Sequence, residues 1–312
     1  MDPAVFADDL VLTGPTASGK SAVGLSLAVK LGAEIISMDS MALYRGMDVG
    51  TAKPSAADQA RVPYHLLDAL NPWDSSSLAW WLKSAAAAAA AIRAGGRRVL
   101  FVGGTPLYLK GLLCGIFEGP AADENLRRRL ELEGGPALHL RLERVDPMSA
   151  RKLHPNDVRR LVRAIEIYEL TGKPMSQWQR QFATPQPRRF APLWLDLPRP
   201  ELYDRINRRV VQMMHGGWLD EVRRLALLPE ALSKEARQAL GYKELLDHLA
   251  GRAGLEETIA LIQTRSRQFA KRQLTWFRNL DGCEPLSIGP AESPEAIATR
   301  ACERWFGKGA TV

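Results

Sequence analysis

The segment Gly14-Pro15-Thr16-Ala17-Ser18-Gly19-Lys20-Ser21 constrains this chain more than any other, because it matches the phosphate-binding loop pattern in full. Its setting is the required one. Leu10 to Thr13 reads as a buried strand, and the amphipathic run from Ser21 through Leu31, closed by Gly32, reads as a helix. Between them, glycines let backbone amides turn inward around phosphate oxygens, the helix start adds partial positive charge, and Lys20 supplies a point charge. Ser21 is then placed to hold a magnesium ion. A loop of this kind implies a bound diphosphate or triphosphate, but it identifies neither the molecule nor the bond broken.

A second strand is expected at Glu34 to Met38. Ser75-Ser76-Ser77 cap a long alanine-rich helix that stops at Gly95-Gly96, and Arg98 to Val102 is a β-rich run leading into Gly103-Gly104-Thr105. This alternation predicts an α/β fold with a P-loop NTPase-like, doubly wound parallel sheet. After about residue 120 strand signals give way to helical periodicity with basic faces, which continues to Pro187 and predicts an inserted, mainly helical domain. Phe190 to Leu197 again reads as a strand, with helices expected from Pro200 to the end. The expected division is a first core segment at 1–120, an insert at 121–189 and a resumed core at 190–312, with the second join in the Pro-rich Thr184-Pro185-Gln186-Pro187.

Asp39 follows the second strand, where the carboxyl ends of parallel strands line the ligand crevice. Position alone fits a base, a magnesium partner or a helix cap. In a common nucleotide-hydrolysing site the strand at Arg98 to Val102 would end in an aspartate for the metal, but here it ends in Gly103-Gly104-Thr105, so water activation is not visibly provided. Thr105 precedes Pro106 at a first helical position, where its hydroxyl can cap that helix or reach a ligand.

Charge adds a partner class. The 312 residues carry a net charge of +7. Arg151 to Arg189 contains nine Lys or Arg against three acids, and Leu261 to Leu280 five against none. Either run alone can be a solvated helix face; together they suggest a polyanion surface. No apolar run approaches the ~18 residues of a membrane helix. The acidic start lacks the pattern of an export signal, so a cytoplasmic protein is expected. Three distant cysteines and five scattered histidines form neither a disulfide framework nor a metal cluster.

The phosphate loop is followed by Asp39-Ser40-Met41-Ala42-Leu43-Tyr44-Arg45-Gly46-Met47-Asp48-Val49-Gly50-Thr51-Ala52-Lys53-Pro54, then His65-Leu66-Leu67-Asp68 and Gly103-Gly104-Thr105-Pro106-Leu107-Tyr108. Asn156 to Glu166, Gly241-Tyr242-Lys243 and Arg267-Gln268-Phe269-Ala270-Lys271-Arg272-Gln273-Leu274-Thr275-Trp276 continue the series. In this order the motifs resemble the tRNA dimethylallyltransferase (tRNA isopentenyltransferase) family, bacterial type. The resemblance implies transfer of a dimethylallyl group from dimethylallyl diphosphate to N6 of the adenosine 3′-adjacent to the tRNA anticodon, with diphosphate leaving. It implies that Gly14 through Ser21 hold the diphosphate, with Mg2+ on Ser21. By the same resemblance Asp39 is the general base, Thr105 orients the substrate and Arg209 helps stabilise the departing diphosphate. Without the family, Arg208 and Arg209 read as a solvated helix face.

The resemblance further implies tRNA contacts at Asp39, Ser40, Met41, Ala42, Thr105 and Arg127, at Arg159, Arg160, Leu161, Val162 and Arg163, at Gln238, Gly241, Tyr242 and Lys243, and at Arg267, Lys271 and Arg272. Spacing puts Arg159, Arg160 and Arg163 opposite the apolar set Val158, Leu161, Val162 and Ile165, and Arg267, Lys271 and Arg278 on one face of the last helix. Arg159-Arg160 stands where many family members have Gln-Arg. The expected partners are the tRNA anticodon stem-loop and dimethylallyl diphosphate, the expected state is a monomer, and no membrane association is expected. A small-molecule kinase with a helical lid is the runner-up, although it leaves the basic helices outside the lid unexplained. A non-catalytic RNA-binding protein ranks last, because Asp39, Thr105 and Arg209 would then be idle.

Overall fold

The computed structural model describes residues 2–116, 119–178 and 185–307. From the N-terminus, β1 (Leu10–Thr13) passes through the phosphate loop into α1 (Lys20–Leu31). Then come β2 (Ala33–Ser37), a two-residue β3 (Tyr64–His65), α2 (Leu78–Ala94), β4 (Arg98–Gly103) and α3 (Pro106–Cys114). The middle of the chain forms α4 (Glu124–Glu133), α5 (Gly135–Val145) and α6 (Val158–Thr171). The remainder supplies β5 (Leu193–Asp196), α7 (Arg199–His215), α8 (Trp218–Ala226), α9 (Tyr242–Leu249), α10 (Leu255–Arg278), β6 (Glu284–Ser287) and α11 (Pro294–Phe306), with shorter helical turns between some of these elements.

The six strands form one sheet in the order β3-β2-β4-β1-β5-β6, and every pair is parallel. All four residues of β1 are buried, as expected of a central parallel strand covered on both faces. Register sets where chemistry can happen. Thr13 lies opposite Gly103, and Ser37 opposite Val102, so β1, β2 and β4 end level and deliver the loops at Gly14, Asp39 and Thr105 to the same sheet edge.

Local signals explain the elements that carry those loops. Gly32, left-handed at φ 59, closes α1 by donating to Ala28 and Val29. Ser77 caps α2 by accepting from the Trp80 amide, and the inward face of that helix is Trp81, Leu82, Ala85, Ala89 and Ile92. Trp81 stacks on Tyr108 of α3 with ring centroids 4.2 Å apart, and its indole donates to the Ser37 carbonyl at 3.1 Å. The end of β2, two residues before Asp39, is pinned by that bond.

Two strands are absent from the sequence reading. The helices expected from Pro200 onward are interrupted by β6, so α10 is the penultimate helix and α11 the last. β6 contains Pro285 and buries only Leu286, so it lacks an apolar alternation; as an edge strand it needs one neighbour, β5. β3 is too short for any periodic signal. Residues 179–184 of the expected insert, Thr184 of its second join, and 308–312 of the resumed core lie outside the described residues.

The chain divides into two compact units, one made of Pro3–Leu113 and Gln186–Val312, the other of Cys114–Pro185 with Met1–Asp2. The first holds the sheet. The division falls a few residues before 121 at one join and before 189 at the other, and across these joins the Gln186 amide donates to the Leu113 carbonyl at 2.9 Å. The helical unit has its own core, built from Leu126 and Leu130 of α4, Leu138 and Leu142 of α5, and Leu161 and Ile165 of α6. In the sheet unit a second cluster gathers Tyr44, Met47, Trp218, Tyr242, Leu245 and Ile262. No described helix is long and apolar enough to cross a membrane.

Candidate active site

The phosphate loop is tightly wound, with Ala17 and Gly19 both left-handed at φ 62 and 89. Gly19 is the N-cap of α1 and no side chain caps that helix, so its first amides remain for a ligand. Lys20 Nζ turns back toward the Pro15 carbonyl at 3.4 Å. Burial and the Arg209 guanidinium push Lys20 down to about 8, against the opposing pull of Asp39. Arg209, on α7, is lowered by burial and raised by the same carboxylate. Its neighbour Arg208 is exposed and pairs with Asp204 at 2.8 Å. The arginine pair is thus split, with Arg208 on a solvated face and Arg209 turned inward.

Asp39 Oδ1 accepts from the Met41 amide at 2.9 Å and from Ala42 at 3.4 Å, which shapes the turn after β2. One oxygen does the capping. Oδ2 makes no hydrogen bond to the described residues, and the carboxylate acts electrostatically on both Lys20 and Arg209. Thr105 Oγ1 accepts from the Ser40 amide at 3.0 Å, so its hydroxyl ties the turn after β4 to the Asp39 turn and makes no cap bond in α3. Gly103 explains the missing aspartate. A Cβ there would stand 2.1 Å from the Met38 carbonyl oxygen, so the end of β4 has no room for a side chain.

A cleft of ≈ 470 Å³ opens at this edge, with Lys20 and Ser21 on one side, Val49 and Ala52 on another and Arg209 and Met213 from α7 on a third. The Val49 wall is held from behind. Glu221, a buried acid in the apolar stripe of α8, accepts from the Asp48 and Val49 amides at 2.8 and 2.7 Å, from Gly50 at 3.2 Å and from the Tyr242 hydroxyl at 2.6 Å. Lys53 Nζ adds bonds to the Tyr44 carbonyl at 2.6 Å, Asp48 at 2.7 Å and Asp68 at 2.5 Å. Sequence reasoning gave Glu221 and Lys53 no role. The available signal was the acid at an apolar helical position.

Ser21 is exposed at the head of α1 within the cleft, and among the described residues no group of three or more His, Cys, Asp or Glu is arranged to hold a metal. A single hydroxyl beside a phosphate site suits magnesium, which takes one or two protein oxygens and completes its shell with phosphate and water.

The residues expected to meet RNA separate by exposure. Arg159, Arg160, Gln238, Lys243, Lys271 and Arg272 are exposed, and Ser40 and Met41 partly so. Arg127 and Arg163 are half-buried and clamp Glu166: Arg127 Nε reaches it at 2.9 Å and Arg163 Nη1 at 2.6 Å. Burial alone would raise the Glu166 carboxyl, but these bonds outweigh it and hold the group below its usual range. Arg267 bonds Asn207 at 2.5 Å and Thr264 at 3.0 Å. Ala42, Leu161, Val162 and Tyr242 are buried, so any contact they make with RNA runs through backbone atoms. Leu161 and Val162 face the core of the helical unit, and Tyr242 gives its hydroxyl to Glu221. Gly241 backs onto the Trp218 ring, where a Cβ would come within 2.1 Å.

A family model described as IPP transferase matches residues 42–280, well over half of the chain. The chain belongs to the IPP transferase family. Among similar proteins of this family, "tRNA dimethylallyltransferase" of Geobacter metallireducens is 45% identical over 275 residues, covering 86% of this chain and 89% of that one. "tRNA dimethylallyltransferase 1" of Trichlorobacter lovleyi is 46% identical over 275 residues, covering 86% and 90%. The crystal structure of a tRNA isopentenylpyrophosphate transferase from Bacillus halodurans matches with a TM-score of 0.70 at 38% identity, over 95% of this chain and 94% of that one. A eukaryotic dimethylallyltransferase described as acting on tRNA matches with a TM-score of 0.80 at 26% identity, over 95% and 77%. For this IPP transferase chain, sequence likeness and fold likeness therefore agree.

Proposed function

We propose that this chain transfers a dimethylallyl group from dimethylallyl diphosphate to N6 of the adenosine 3′-adjacent to the tRNA anticodon, releasing diphosphate. The observation that carries the reading is that Lys20 and Arg209 line one cleft at the phosphate loop and both feel the Asp39 carboxylate: one carboxylate able to take a proton, and two cations able to receive a leaving anion. The diphosphate lies on the amides between Gly14 and Ser21, and Val49, Ala52 and Met213 offer apolar surface to the five-carbon tail. Adenine N6 is a weak nucleophile because its lone pair is delocalised into the ring. As N6 bonds to the allylic carbon, the C–O bond breaks, its electron pair leaves with diphosphate, and the N6 proton passes to Asp39. Lys20 and Arg209 stabilise the charge that develops on the leaving oxygen. When bound, Mg2+ on Ser21 supplies further charge neutralisation.

The target base must leave its stack to reach Asp39, which is easiest in a single-stranded loop such as the anticodon loop of tRNA. Exposed basic residues of α6, and independently those of α10, offer charge to the RNA. The expected setting is the cytoplasm and the expected state a monomer. The test is mass spectrometry of nucleosides from unmodified tRNA incubated with the protein, magnesium and dimethylallyl diphosphate, with ATP replacing the diphosphate donor in parallel. Dimethylallyl-adenosine in the first reaction alone is the expected result. No adduct from folded protein and competent tRNA would overturn it.

A further inference from the structure

The buried stripe of α10 runs Ser266, Ala270, Gln273, Leu274 and Phe277, and Gln273 is an amide among mainly apolar neighbours, only 2% exposed. Its side chain bridges two loops that meet nowhere near each other in sequence. Oε1 accepts from the Thr16 amide of the phosphate loop at 2.9 Å, and Nε2 donates to the Gly104 carbonyl at 2.6 Å. The next residue, Thr105, holds the Ser40 amide at 3.0 Å, and Ser40 follows Asp39. Gly104 is packed into this junction: a Cβ there would lie 3.0 Å from Gln273 Nε2, 3.0 Å from the Gly14 carbonyl oxygen and 3.2 Å from Lys20 Cε. Only a side chain that donates and accepts at once satisfies both loops; a carboxylate lacks the donor and an ammonium lacks the acceptor.

We propose that Gln273 is a positioning residue for the alkyl transfer, setting the distance between the loop that holds the diphosphate and the turn that presents the base. It touches no reacting atom. The inference rests on the function proposed above, and it assigns Gln273 to the transition state rather than to substrate capture. Lys20, Arg209 and Asp39 all survive its replacement, so binding groups are kept while their mutual placement is lost. Misplacement by about 1 Å is enough to cost about a hundredfold in rate. The exposed side of the same helix carries Lys271 and Arg272, so the strut is anchored in an element that also offers charge to RNA.

Gln273→Met keeps the bulk and removes both hydrogen bonds. At saturating substrates its kcat is expected to fall about 10-fold to 100-fold, with KM for both substrates within about threefold of native. Gln273→Glu adds a signature that loss of packing does not produce. The ionised carboxylate accepts from Thr16 but cannot donate to Gly104, whereas the protonated acid does both, so its kcat relative to native should rise as pH falls from about 8 toward about 5.5, while the ratio for Gln273→Met stays flat. Hydrogen exchange supplies a readout independent of transfer: amides at 14–21 and 103–106 should exchange faster in Gln273→Met, with Leu78–Ala94 unchanged. A Gln273→Met kcat within about twofold of native, a loss carried by KM alone, or unchanged exchange in both loops each overturns the proposal. If native protein forms no adduct, the reading of the reaction falls, and exchange alone decides whether the strut exists. If Gln273→Met does not fold, the pH ratio of Gln273→Glu decides it.

Discussion

Lys20 titrates where few lysines do. Its proton is held against burial and the Arg209 charge, and the group is pushed down to about 8. The protonated form is the one that attracts diphosphate, so affinity should be full below about pH 8 and fall by up to about tenfold per pH unit above it, until the pKa of the bound state is reached. Calorimetric titration with inorganic diphosphate checks this, with Lys20→Ala as the control that retains only the ligand's own ionisation. Absence of any difference in pH slope between the two would show that Lys20 does not meet the anion. At Asp39, the free Oδ2 is the atom expected to take the N6 proton. Asp39→Ala should lower transfer at least about 100-fold, in line with loss of a general base, with tRNA affinity within about twofold of native in a filter-binding assay. Near-native turnover would remove the base assignment. Residue identity was readable at both positions because each lies within a few residues of a strand end. Arg209 was not separable from Arg208 by pattern; burial on one side of α7 makes the difference, and burial is a tertiary fact.

At the scale of elements, α6 changes which substitutions test RNA binding. Arg163 is one of two arginines that pair with the buried Glu166 carboxylate, so replacing it weakens that clamp and confounds affinity with stability. Arg159→Ala with Arg160→Ala is the cleaner pair, since both side chains are exposed and Arg160 has only a 3.4 Å pairing with Asp157. The double variant should bind tRNA more weakly and lower the slope of log affinity against log salt by about 1 to 2, with urea stability unchanged. The loop at 48–50 is tested through α9. Tyr242→Phe deletes one of four hydrogen bonds to the buried Glu221 carboxylate and should cost about 1.5 to 3 kcal/mol in urea denaturation. The sequence made α1, α2 and α6 legible through caps, glycine stops and apolar spacing. It could not disclose Gln273, whose partner Thr16 is 257 residues away, nor β6, whose proline and single buried side chain leave no strand pattern.

For the whole molecule, the parallel sheet with its phosphate loop was legible because alternating strands and helices admit few arrangements, and the helical unit because strand signals cease near residue 120. At the join of the two units the Gln186 amide meets the Leu113 carbonyl, 73 residues away in sequence, a pairing with no signature in composition. Light scattering is expected to give a mass near 34.5 kDa, that of a single chain. A stable dimer would contradict that. The two margins of the sheet have a bearing on how such a basic protein survives at high concentration. One margin is a strand of two residues and the other is interrupted by Pro285, so neither presents a long row of free amides and carbonyls to a passing chain. A sheet finished in this way is a poor template for strand addition, and the same economy that hid both strands from view in the sequence also shields the folded protein from edge-to-edge aggregation.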